Sequence, residues 1–192
     1  MKVRALVLFL ATFFCVHLMY DWWWRPRFQV YIGEENGWLD GPWLSFIIVL
    51  IISVFITLTL IQLKRRRFNL YFIYVSYSLY FVTMIFFLFF KSVGSYGYYI
   101  GITILIDELK EGKIVEALFN ILYFVPLGML MTRLKRSFFF LVSLLGLFLI
   151  EISQYSLELG YFDTNDILLN FIGLYLGRFL WLQLNNEIEL YR

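Results

Sequence analysis

Residues 43–63 run for 21 positions without a charged side chain, and Lys64-Arg65-Arg66-Arg67 follows at once. At 1.5 Å per residue, ~20 helical residues cross the ~30 Å hydrocarbon core of a bilayer. A run of that length, closed by four cations, is a transmembrane helix. Its Ser45, Ser53, Thr57 and Thr59 are tolerable in lipid because a hydroxyl can bond back to a carbonyl one turn earlier. Apolar runs recur at about 5–20, 68–90, 114–132, 137–157 and 167–184. Short connections use up the rest, so no soluble domain fits. The chain is 61% hydrophobic with mean hydropathy +0.77, where a soluble domain has ~45–50% apolar residues. The fold class is therefore an all-α integral membrane protein. It is a single membrane domain over residues 1–192, a bundle of about six transmembrane helices, or five if the first is removed.

The first run resembles a signal peptide, with Lys2 and Arg4 ahead of an apolar stretch. No small-x-small cleavage site follows; Tyr20-Asp21-Trp22-Trp23-Trp24-Arg25 forms an aromatic interfacial anchor instead. The lone cysteine, Cys15, allows no intramolecular disulfide and is expected to pack, and His17 is expected to be interfacial or packed. The Trp-rich loop 21–42 should lie against headgroups. Residues 91–113 have an apolar middle too short to span, and Gly94, Gly97 and Gly101 argue against a long helix. An interfacial segment is expected there, with a re-entrant loop as the alternative.

Orientation follows from Lys and Arg. The N-terminus, the 64–67 and 133–136 loops and the tail together carry ten, and the alternate connections carry five. The positive-inside rule places both termini in the cytoplasm. Arg178, near the cytoplasmic end of the sixth helix, can snorkel. The net charge of +2 says nothing about nucleic acid, and no nucleic-acid partner is expected of a chain that is almost all membrane helix.

Most of the out-of-place polar side chains fall between residues 120 and 177. Counted from the outer helix ends, Asn120 and Glu151 lie roughly 9 Å deep, and Gln154 and Asn170 about 5 Å. Asp163 and Asp166 are expected at the surface above them, in a loop free of Lys and Arg. Glu151 and Gln154 share a face, as do Asp166, Asn170, Gly173 and Gly177. Gly173 and Gly177 form a G-x-x-x-G that lets another helix approach closely. Pro126 should kink the fourth helix, and Gly128 is a further packing position. A carboxylate at membrane depth costs about 2.5–3.5 kcal/mol on insertion scales. Glu151 should therefore face the interior, hydrogen-bonded by Gln154, Asn120 and Asn170. The plain alternative is that these groups are glue between helices, worth ~0.6 kcal/mol per bond.

The pattern Asn120…Phe124-x-Pro126-x-Gly128, then Glu151-x-x-Gln154, then Asp166-x-x-x-Asn170-x-x-Gly173-x-x-x-Gly177, resembles the VanZ-like family of bacterial membrane proteins over about residues 118–178. The chain departs from the family pattern at Tyr161, where an Arg is usual, and at Asn165, where an Asp is common. A loop Arg could neutralise carboxylates or meet an anionic ligand; Tyr161 brings no charge to do so. The resemblance implies a bacterial cell-membrane location and a link to low-level resistance to the glycopeptide teicoplanin, and it implies no reaction.

Two function classes remain. A non-enzymatic envelope protein would use Asn120, Glu151, Gln154, Asp163, Asp166 and Asn170 to bind membrane lipid, a lipid-linked cell-wall precursor or a glycopeptide. A membrane enzyme acting on a lipid headgroup would use Glu151 as its acid or base. The sequence lacks a serine–histidine pair, a cysteine nucleophile and a clear metal cluster, so binding is the preferred class, with no cofactor and no metal expected. A transporter would call for a midplane site or internal repeat, and neither is evident.

Overall fold

The structure is a computed structural model, and it describes residues 2–25, 42–89, 94–101, 106, 110, 114–184 and 187–192. Among the described residues six α-helices dominate: α1 (Lys2–Met19), α2 (Pro42–Arg65), α3 (Leu70–Phe89), α4 (Ile114–Leu130), α5 (Arg136–Ser156) and α6 (Thr164–Leu184). Five helical segments are long and apolar enough to cross a membrane; the fourth, Ala117–Arg133 with its 3-10 end, is an apolar helix of shorter length. Four short strands accompany them: β1 (Arg67–Asn69), β2 (Ser95–Tyr99), β3 (Leu159–Asp163) and β4 (Glu189–Tyr191). They pair in parallel as β1 with β4 and β2 with β3. Most of the Trp-rich loop and most of 91–113 lie outside the described residues, and the expectations for them fall there; the described part of the second segment holds β2.

The chain divides into two compact units, residues 1–73 with 189–192, and residues 74–188. In the first, α1 packs along α2 around Val16, Tyr20 and Val49. Ser53, Thr57 and Thr59 bond back to the carbonyls of Val49, Ser53 and Phe55 at 2.6, 2.7 and 2.9 Å, which satisfies the hydroxyls locally. Ser45 is used differently and meets the Tyr20 hydroxyl at 3.0 Å. Helix α1 continues through a π-turn, Tyr20–Trp24, and the His17 Nδ1 lies 3.3 Å from Asp21 Oδ2. Cys15 is free and exposed among the described residues, where the sequence leads one to expect a packed side chain.

In the second unit, α4 and α6 run parallel and very close, which is why the chain crosses back through α5 between them. Three glycines make the seam. A Cβ at Gly173 would strike the Ile121 carbonyl oxygen, one at Gly177 the Val125 carbonyl oxygen, and one at Gly128 the Leu174 carbonyl oxygen. With no side chain at these points, backbone meets backbone. Phe124, Phe139, Leu147, Ile167, Leu174 and Met84 fill the core around it.

Candidate functional site

One end of the second unit gathers the last turns of α3 and α5 and the first turns of α4 and α6. The buried stripe of α5, Phe139, Ser143, Leu147 and Glu151, steps by four residues and carries Glu151 to that end. Glu151 is 2% exposed. Its Oε2 accepts a hydrogen bond from the Asp163 backbone amide at 2.9 Å. Two of the three expected partners, Gln154 and Asn120, are engaged elsewhere. Gln154 Nε2 donates to the Leu88 carbonyl at the end of α3 at 2.7 Å. Asn120 Nδ2 donates to Asp166 Oδ1 at 2.6 Å and so ties α4 to α6. A backbone amide can serve a buried carboxylate as well as a side-chain amide can, and it costs no rotamer entropy.

Asp163 and Asp166 are not free surface carboxylates. Both are half-buried, and both lie within electrostatic reach of Glu151. Asp163 Oδ1 accepts from the Asn165 amide at 2.7 Å, an Asx turn that starts α6. The loop expected over residues 158–166 holds β3, whose register against β2 runs from Ser95 opposite Leu159 to Tyr99 opposite Asp163. The ladder is fastened at both ends: Gly94 N donates to the Glu158 carbonyl at 2.8 Å, and Gly101 N to Thr164 Oγ1 at 3.1 Å. Tyr161 lies over Gly97, where a Cβ would come within 2.8 Å of its ring, and its ring centroid is 5.0 Å from that of Tyr99.

Among the described residues, two side-chain atoms in this layer are buried with no partner: Asn170 Oδ1 and Asn165 Nδ2. Their residues are 4% and 3% exposed. Asn170 sits one turn below Asp166 on the same face of α6. Leaving such a group unsatisfied costs ~1–3 kcal/mol, so each is an opening for a ligand group or an ordered water. The sequence marks Asn165 only as a departure from the family pattern, because it lies within the polar D-T-N-D run 163–166, where an Asn ordinarily reads as a turn residue. Among the described residues, no group of three or more His, Cys, Asp and Glu is arranged to hold a metal ion.

At the opposite end of the unit, Arg178 Nη1 and Nη2 donate to the Met131 and Leu134 carbonyls, each at 2.7 Å, and its guanidinium lies 4.9 Å from the Phe139 ring centroid. The side chain caps the turn after α4. Those carbonyls lose their helical partners where α4 ends, and a fixed fork supplies them.

The family model described as VanZ/LLP1 matches residues 43–185. The chain belongs to the VanZ/LLP1 family. The match takes in α2 to α6 and the whole polar layer, well beyond the 118–178 stretch whose motif resembles it. Only α1 and the connection after it precede the VanZ/LLP1 region. No curated protein and no solved structure matches the chain.

Proposed function

We propose that this chain is a non-enzymatic protein of the bacterial cell envelope whose polar layer faces the outside. It binds the polar head of a membrane lipid, a lipid-linked cell-wall precursor or a glycopeptide, and so contributes low-level tolerance of teicoplanin. The observation that carries the reading is Asn170 Oδ1, buried and unpartnered one turn beneath Asp166. A layer built only to hold helices together gains nothing from an unsatisfied acceptor; a layer built for a ligand leaves one open. The charge count supports the outward orientation, since Arg133, Lys135 and Arg136 lie at the far end of this unit and β3 has no Lys or Arg.

The test is to purify wild type and the Asn170→Leu and Glu151→Gln variants from a Gram-positive host. Co-purifying lipids and precursors are identified by mass spectrometry, and teicoplanin susceptibility is measured in the same strains. A species retained by wild type and lost in Asn170→Leu, with tolerance falling in parallel, is the expected result. Equal retention in all three, with no tolerance from wild type, would leave interhelical glue as the role. A second reading, an enzyme using Glu151 as acid or base on a lipid headgroup, is favoured by that residue's burial and single hydrogen bond. It requires Glu151→Gln to abolish a turnover that wild type performs.

A further inference from the structure

The first unit carries a second site, unrelated to the polar layer. Asn69 caps α3, its Oδ1 accepting from the Phe72 amide at 3.1 Å, and its own amide donates to Gln62 Oε1 at 2.6 Å. Gln62 Nε2 reaches the Leu58 carbonyl at 3.4 Å. Both ends of the Gln62 amide are therefore used, and the residue is a wall. Against that wall β1 pairs with β4, with Arg67 opposite Glu189 and Asn69 opposite Tyr191. Gln62, Arg65, Arg67 and Tyr191 line a cleft of about 280 Å³.

Among the side chains that line the cleft, the Arg67 guanidinium and the Tyr191 phenol are donors of the kind that suits an oxyanion. The chain itself supplies one. Arg67 Nε lies 2.9 Å from Glu189 Oε2, and Nη2 donates to Oε1 at 3.2 Å, a two-point grip on a carboxylate. The same fork fits two oxygens of a phosphate. The pair is exposed, 56% and 64% for its two side chains, and pairs in that setting are weak. The Arg67 guanidinium lies 5.5 Å from the Tyr191 ring centroid, within cation–π range. The tail does not depend on the carboxylate for its position, because Glu189 N also donates to the Arg66 carbonyl at 2.8 Å.

We propose that the Gln62–Arg65–Arg67–Tyr191 cleft binds a phosphate-bearing anion and that the Glu189 carboxylate is its competitor within the chain. The cleft lies at the end of an apolar helix, within reach of the headgroup layer of any bilayer that α2 crosses. Two sources share the chemistry: an anionic phospholipid headgroup and a soluble phosphate.

The proposal assigns opposite signs to the two members of one ion pair. The full-length protein is placed in nanodiscs of phosphatidylcholine alone or with phosphatidylglycerol, and retained lipid is counted by native mass spectrometry. Inorganic phosphate binding is measured in parallel on protein in phosphatidylcholine. Glu189→Gln keeps the ladder and removes the competitor, so phosphate-class binding should rise about threefold, within what one exposed ion pair can withhold. Arg67→Gln removes the fork, so binding should fall by a similar factor. The opposite signs expected of Glu189→Gln and Arg67→Gln separate competition at the fork from a shared loss of the ladder, which would move both variants the same way. Phosphatidylglycerol responding while inorganic phosphate does not identifies the lipid as the source, and the reverse identifies a soluble anion. Glu189→Gln binding no more than wild type to either probe, or Arg67→Gln binding as well as wild type, overturns the proposal.

Discussion

The glycine seam between α4 and α6 permits a prediction whose sign can be worked out from neighbours alone. An alanine at Gly177 would put its Cβ on the Val125 carbonyl oxygen, 2.8 Å from the Val125 carbonyl carbon and 3.0 Å from its Cα. All three atoms are backbone, so no rotamer change can make room and the two helices must separate. Overpacking of this kind costs about 1–3 kcal/mol, and a rigid neighbour belongs at the upper end of that range. Alanine also returns ~0.5–1 kcal/mol of helix propensity. The net expectation is a loss of about 2 kcal/mol. Gly146 in α5 is the internal control: a Cβ there meets nothing within 4 Å, so only the propensity gain remains. Gly146→Ala should stabilise by ~0.5–1 kcal/mol. Reversible unfolding in mixed micelles, titrated with a denaturing detergent, compares the two against wild type. Gly177→Ala at or above wild-type stability would refute the seam, and so would Gly146→Ala falling as far as Gly177→Ala.

Asn170→Leu should raise the stability of the ligand-free protein by ~1 kcal/mol, because it removes a buried acceptor that has no partner; a lower unfolding midpoint in the same titration would show that Asn170 is satisfied in the free protein. Arg178→Met should cost about 1.5–3 kcal/mol through loss of the charged donors to the Met131 and Leu134 carbonyls. Arg178→Lys should recover part of that loss, since one ammonium cannot reproduce the fork, and full recovery in unfolding measurements would reduce the residue to a charge.

How much was legible depends on the range of the cause. The helix positions were readable because each span is set by a local demand, length against bilayer thickness, and α2, α3 and α5 begin and end within a few residues of the apolar runs. The one-end clustering of Asn120, Glu151, Gln154, Asp163, Asp166 and Asn170 was readable for the same reason, since depth follows from residue count. The bonds among them were not. The β2–β3 ladder joins Ser95 to Leu159, and nothing in S-Y-G-Y-Y or L-G-Y-F-D alternates in the way that marks a half-buried strand. Once that ladder forms, it carries the Asp163 amide onto Glu151, and the side chains expected there turn to Leu88 and Asp166. Periodicity says which residues share a face; it does not say what a returning segment will bring to them.

The same reasoning explains why the polar layer can exist at all. A carboxylate and two unsatisfied amide atoms are costly in an apolar bundle unless something else fixes the helices around them. Here the fixing is done below the layer, where Gly128, Gly173 and Gly177 let α4 and α6 meet backbone to backbone over successive turns. It is reinforced at the far end, where Arg178 holds the turn after α4. The Asn120–Asp166 bond then closes the near end of a pair of helices whose spacing is already set. Stability resides in the seam, so the layer is free to keep Asn165 and Asn170 incompletely satisfied. That division of labour is the arrangement expected of a binding site: a rigid, close-packed support beneath, and open hydrogen-bonding capacity above it.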